Sequence, residues 1–207
     1  MLVSHDYKFI YIKSKKTAST SIQDYLEPYC RNGIVKRRAP HSHLSATKVK
    51  ALVGDEIWNS YLKITPIRNP WDKMVSLYFW RRNRKRPWYL RIRLYFKWGT
   101  FRNPAETYSF KDFIELLESK KATNVDKRIL LVDGQMPDYY FVRFEHLHED
   151  LETLCGKLGI PYESDKLPKK KVGLREKRDY KQLYDDKTKK IVEDAYPWET
   201  HEFGYTF

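Results

Sequence analysis

Phe9, Ile10, Tyr11 and Ile12 follow one another without a break, so Lys8 to Ile12 reads as a buried strand. A polar turn, Lys13 to Thr17, comes next. Within Ala18 to Tyr29 the apolar residues Ile22, Tyr25, Leu26 and Tyr29 fall at i, i+3, i+4 and i+7, which is helical spacing. The chain therefore opens strand, turn, helix. A basic loop at 31–43 carries Pro40, His41 and His43, and a short helix is expected from Ser45 to about Val53. The second strand is placed at Tyr61 to Ile67. Asn69-Pro70 ends it, and Pro70 suits the first turn of a helix with Trp71, Met74, Val75, Tyr78 and Phe79 on one face. A further helix is expected near Ser109 to Lys120 and a third strand at Tyr139 to Arg143. The helix Leu147 to Leu158 turns Leu147, Leu151, Leu154 and Leu158 inward. A polar, basic loop at 165–181 precedes a last helix, Lys187 to Tyr196, and an aromatic tail, Phe203 to Phe207. Strands alternating with helices predict an α/β fold, a central parallel sheet of about four or five strands flanked by helices on both faces.

Composition narrows this picture. The chain has 207 residues, and with no internal repeat or Ser/Gly linker a single domain over 1–207 is expected. Apolar residues at 41% and aromatics at 15% exclude a disordered chain. The 8 Gly and 10 Pro are too few for collagen-like or low-complexity architecture. No apolar run approaches the ~20 residues that span a bilayer. Met1 to Lys16 lacks the basic-then-apolar pattern of a signal peptide, so a soluble, cytoplasmic protein is expected. The 2 cysteines, Cys30 and Cys155, have no partner in zinc-finger spacing and are expected as reduced thiols.

Charge adds a partner. The 40 Lys and Arg outnumber the 27 Asp and Glu by 13, which calls for an anionic partner: nucleotide, nucleic acid, acidic glycan or membrane surface. Between Arg81 and Arg102 stand nine Lys/Arg and no acid, interleaved with Trp88, Tyr89, Tyr95, Phe96 and Trp98. Such a basic, aromatic insert, at about 81–105, can stack on bases, pack on sugar rings or rest on an anionic surface.

The first turn has the chemistry of a phosphate site. Ligands of open parallel sheets bind at the carboxyl ends of the strands. A helix N-terminus there offers backbone N–H groups and a partial positive charge. Lys13 to Ser21 adds three lysines and five hydroxyls. It is not a Walker A loop, because that loop needs glycines and the first glycine of this chain is Gly33.

Phe9 to Ile22 resembles the phosphosulfate loop of sulfotransferases that use 3′-phosphoadenosine 5′-phosphosulfate (PAPS), in their carbohydrate-type branch. That loop reads approximately Ile-Pro-Lys-Thr-Ala/Gly-Gly-Thr-Ser. Lys16, Thr17, Ala18, Thr20 and Ser21 match it; Ser14, Lys15 and Ser19 replace an apolar residue, a proline and a glycine. Ile64 to Tyr78 closely resembles the same family's 3′-phosphate motif, Val-Arg-Asn-Pro-x-Asp-Arg-x-Val-Ser-x-Tyr. Phe141 to Asp150 is similar to its Arg-Phe-Glu-x-Leu-x-x-Asp segment, and Glu202 to Phe207 to its Phe-Gly-Tyr-x-Phe ending. The stretch 81–135 matches least.

The resemblance implies a three-layer, P-loop-like fold and transfer of a sulfonate from PAPS to an acceptor hydroxyl or amine, leaving adenosine 3′,5′-bisphosphate (PAP). It assigns the donor to Lys15, Lys16, Thr17, Ala18, Ser19, Thr20 and Ser21, and the 3′-phosphate to Arg68 and Ser76; Arg143 is a further candidate. Ser76 also lies about 140° from the apolar stripe of its helix at 100° per residue, so it does not serve the core. Lys16 is the candidate that stabilises charge on the leaving phosphate. His43 and His41 are the candidate general bases, His43 favoured by the following Ser45-Ala46. The chemistry needs no metal. The acceptor is expected to be a carbohydrate, with an anionic one plausible, and nucleic acid is not expected as the main partner. The alternative is a non-catalytic polyanion-binding module on the same fold.

Overall fold

The structure is a computed structural model that describes residues 1–36, 43–83, 96, 104–119, 126–168 and 179–207. The chain divides into two compact units, Met1–Arg68 with Val125–Lys170, and Asn69–Asn124 with Lys171–Phe207. His41 and most of the basic insert at 81–105 lie outside the described residues.

The first unit is built on a five-stranded sheet: β1 Leu2–Ser4, β2 Phe9–Tyr11, β3 Ile34–Val35, β4 Leu62–Ile67 and β5 Tyr139–Arg143. Their spatial order is β3-β1-β2-β4-β5. β2, β4 and β5 are parallel, as expected, and β1 runs antiparallel to both β2 and β3. The sheet is therefore mixed. Its antiparallel edge escaped the sequence because strands of three and two residues are too short to show a period.

Register decides the faces. Phe9 pairs with Leu62, Tyr11 with Ile64, and Ile64 with Tyr140, so these side chains share one side. On that side pack α1 (Ser19–Leu26) and α8, the helix Leu147–Leu158. Phe9, Tyr11, Ile22, Leu26, Ile64, Val142, Leu151 and Leu154 form one buried cluster there. Each such side chain contributes roughly 1.5–3 kcal/mol on leaving water. On the other side, Lys63 lies 5.8 Å from the ring centroid of Trp58, in α3 (Asp55–Ser60). The Tyr139 hydroxyl donates at 2.8 Å to the carbonyl of Leu130, in α7 (Lys127–Leu130). Helices thus cover both faces.

Boundaries follow local chemistry. α2, Ala46–Val53, starts where the Ser45 side chain accepts from the Lys48 amide. Gly54 at φ 82 ends it and opens α3, whose Asp55 and Glu56 favour a helix start. α3 escapes the sequence pattern because its six residues bury one side chain, Trp58, and show no period.

The second unit holds α4 (Pro70–Arg82), α5 (Pro104–Thr107), α6 (Phe110–Ser119), α9 (Asp186–Ala195) and α10 (Pro197–Phe203). Asn69 caps α4, its side-chain oxygen accepting from the Trp71 and Asp72 amides at 3.0 and 3.5 Å. Its side-chain nitrogen donates to the Thr206 carbonyl at 2.9 Å, which ties the aromatic tail to the helix start. Trp71, Met74, Val75, Tyr78, Phe110, Phe113, Val192 and Tyr196 make this unit's core. α10, with Pro197 as its first residue, fills the stretch between the expected last helix and the aromatic tail, for which the sequence pattern predicts no element. No described helix is long and apolar enough to cross a membrane.

Two glycines give opposite predictions. A Cβ on Gly33 would stand 1.8 Å from the Val3 carbonyl oxygen, where the chain turns into β3, whereas one on Gly156 would meet nothing within 4 Å. Gly156 is exposed within α8. Gly33→Ala is expected to lower stability by about 1–3 kcal/mol or more through overpacking. Gly156→Ala is expected to raise it by about 0.4–1 kcal/mol. Urea unfolding midpoints of the two variants check both.

Candidate active site

The turn after β2 is held from below by its own buried side chains. Ser14 is fully buried. Its hydroxyl donates to the Pro66 carbonyl of β4 and, with that proton committed, accepts from the Thr17 hydroxyl at 2.9 Å. Lys13, 5% exposed, donates to Gln23 Oε1 of α1 at 2.6 Å. Lys13 and the Thr17 side chain therefore serve the fold. Lys15 is exposed, and Lys16 and Thr20 are half-buried. Whatever Thr17 offers a ligand is its backbone amide.

Backbone geometry shapes the rim. Lys16 and Ala18 have φ of 63° and 56°, while Thr17 between them does not have positive φ. Alternation of this kind turns successive N–H groups toward one point, a concavity suited to an anion. Each left-handed non-glycine residue costs roughly 1–2 kcal/mol, offset here by the anchors beneath. α1 opens on Ala18, which has no side-chain acceptor, and its first backbone bond runs from the Ile22 amide to the Ala18 carbonyl at 3.2 Å. The first-turn amides thus point off the helix end. Ser19, which stands where the family has glycine, does not have positive φ, so this position does not call for glycine's freedom.

Arg68 follows the last residue of β4 and is 7% exposed. Its Nη1 donates to the Lys16 carbonyl at 3.1 Å. Its guanidinium lies 3.7 Å from the ring centroid of Phe144. The register pairs Ile67 with Arg143, so Arg68 and Phe144 leave adjacent parallel strands side by side. Arg143 is exposed at the same edge, its amide donating to Asp150 Oδ2 at 2.6 Å. Phe144 lies within the segment similar to Arg-Phe-Glu-x-Leu-x-x-Asp, and in the sequence only its place after a strand points to it.

His43 is brought to the same loop. Its Nδ1 lies 3.2 Å from the Lys13 carbonyl. A carbonyl only accepts, so Nδ1 carries the proton and Nε2 keeps its lone pair. Burial of one side of the ring, with the charges of Lys13 and Lys15, holds its pKa below the ordinary histidine value; the bond to Lys13 pulls less strongly the other way. His43 is therefore neutral near pH 7, although part of it remains exposed.

The first unit thus brings together the 13–21 turn, Arg68, Arg143 and His43. Ser76 belongs to the second unit, half-buried on α4 while most of that helix is buried. The arrangement offers converging amides, fixed cations and a neutral imidazole, which suits an anionic donor and an acceptor that loses a proton.

No curated protein matches the chain. Among solved structures it is similar to a mouse sulfotransferase, SULT7A1 complexed with PAP, at 16% identity over 93% of this chain and 84% of that one, with a TM-score of 0.45. A family model described as the sulfotransferase family matches residues 1–206. With the model running through both motifs and nearly the full length, the chain belongs to the sulfotransferase family, enzymes that draw a sulfonate from PAPS.

Proposed function

We propose that the donor binds along the carboxyl ends of β2, β4 and β5, with the acceptor, a carbohydrate hydroxyl or amine, brought to His43. The observation that carries this reading is the bond from Arg68 to the Lys16 carbonyl. Residues from the two motifs that resemble the donor-binding parts of sulfotransferases, 52 positions apart, meet in the fold. The carbohydrate acceptor rests on the likeness of the Lys16 to Ser21 turn to the carbohydrate-type branch.

PAPS supplies an activated sulfonate whose transfer breaks an S–O bond and leaves negative charge on the 5′-phosphate. The amides from Lys16 to Ser21, with the Ser19, Thr20 and Ser21 side chains, hold that phosphate, and Lys15 adds positive charge beside it. The Lys16 ammonium stabilises the charge as it grows, which lowers the barrier more than it tightens substrate binding. Arg68 holds the 3′-phosphate through its planar fork, the role the motif implies for it. Arg143 adds charge at the same edge. His43 Nε2 takes the acceptor proton.

Lys16→Ala is expected to lower turnover roughly 10²–10³-fold with little change in PAP affinity; turnover retained at the wild-type rate overturns the role. Calorimetric titration should show PAP binding that depends on the 3′-phosphate and is lost in Arg68→Ala. Equal binding of PAP, ATP and 5′-AMP would favour the polyanion-binding alternative, to which the net charge of +13 points.

The pH profile tests His43. Because its folded pKa is lowered, the base stays neutral as pH falls until that lowered value is passed. The acid limb of kcat/KM, which reports the free enzyme, is expected below pH 6.5 and absent from a slow His43→Ala variant. A midpoint above 6.5, or an unchanged limb in the variant, excludes His43 as the base.

A further inference from the structure

We propose that Phe144 is the positioning residue that gives the donor site its preference for a 3′-phosphate, by orienting the Arg68 guanidinium. The proposal rests on the reading of Arg68 as the 3′-phosphate ligand. Three observations carry it. Arg68 is nearly buried, so its cation is poorly hydrated and its orientation is set by protein contacts. Phe144 lies 3.7 Å from it, well inside the ~6 Å reach of a cation–π contact. The Ile67–Arg143 register places the two residues side by side at a fixed offset.

The contact differs in kind from the bond to Lys16. A ring engages the face of a guanidinium and takes none of its N–H groups, which lie in the plane. The Lys16 carbonyl sets the position of Nη1 along one edge. The ring, lying against the guanidinium at 3.7 Å, resists tilting of the plane of the fork. A phosphate bound through two parallel N–H groups needs that plane fixed, because two bonds fail together when the fork tilts. Phe144 thus acts on the 3′-phosphate through Arg68 and touches no nucleotide atom in this account.

The test is the ratio of PAP to 5′-AMP affinity, two nucleotides that differ by the 3′-phosphate alone. It is read by calorimetry in the full chain for wild type, Arg68→Ala, Phe144→Leu, Phe144→Met and Phe144→Tyr, each checked for a cooperative thermal transition. Leu and Met keep an apolar side chain without a ring; Tyr keeps the ring. The expected result is that Arg68→Ala abolishes the preference for PAP. Leu or Met then cuts it roughly three- to thirtyfold, the range from an exposed to a desolvated cation–π contact, with 5′-AMP affinity unchanged. Tyr keeps it within about twofold. If Leu and Met leave the ratio intact while Arg68→Ala abolishes it, Arg68 stands and the role of Phe144 is overturned. Equal weakening of both nucleotides also overturns it, since a merely structural ring would act in that way. If Arg68→Ala keeps the preference, the reading of Arg68 fails and the proposal falls with it.

Discussion

The site depends on the fastening of one short turn to the neighbouring strand. β2 and β4 are parallel, so the turn leaving β2 passes the end of β4. Ile12 donates its amide to the Ile64 carbonyl, Ser14 its hydroxyl to the Pro66 carbonyl, and Arg68 its guanidinium to the Lys16 carbonyl. These hold Lys16 and Ala18 in left-handed backbone that an alanine or lysine would otherwise leave. Strain of this kind persists only where surrounding contacts over-determine it, and here they are buried. Loop shape, amide direction and the seat of His43 all follow from that fastening.

The parallel centre was legible because Phe9–Tyr11 and Leu62–Ile67 are apolar runs bounded by polar turns, and because α1 and α8 show clean helical spacing. Ser45 and Asn69-Pro70 announced their helix starts by cap chemistry alone. β1 and β3 were not legible, since their strand character comes from pairing across the sheet and not from their own few residues. α4 was read as amphipathic, yet Asp72 and Lys73 are buried along with its apolar face. Composition cannot show that, because burial of a charge depends on what surrounds it.

At the site, the sequence identified residues by type and order but not their division of labour. Thr17 and Lys13 look like any hydroxyl and any lysine of a phosphate loop; only burial shows that their side chains face inward. The departures from the family pattern are also sorted by the fold. Ser14 replaces an apolar residue and uses its hydroxyl as an anchor on β4. Lys15, in place of proline, stands exposed and adds charge at the rim. Phe144 carried no chemical signal of its own, since an aromatic beside a strand end is ordinary until a cation is found over it.

The bond between His43 and the Lys13 carbonyl also separates two tasks of the site. The carbonyl fixes the imidazole proton from within the donor turn, whatever molecule approaches the other nitrogen. In the proposed reading, the donor-binding turn prepares the proton-accepting group before any acceptor arrives. The parts that recognise an acceptor can then diverge independently, because no acceptor group is needed to prepare the base.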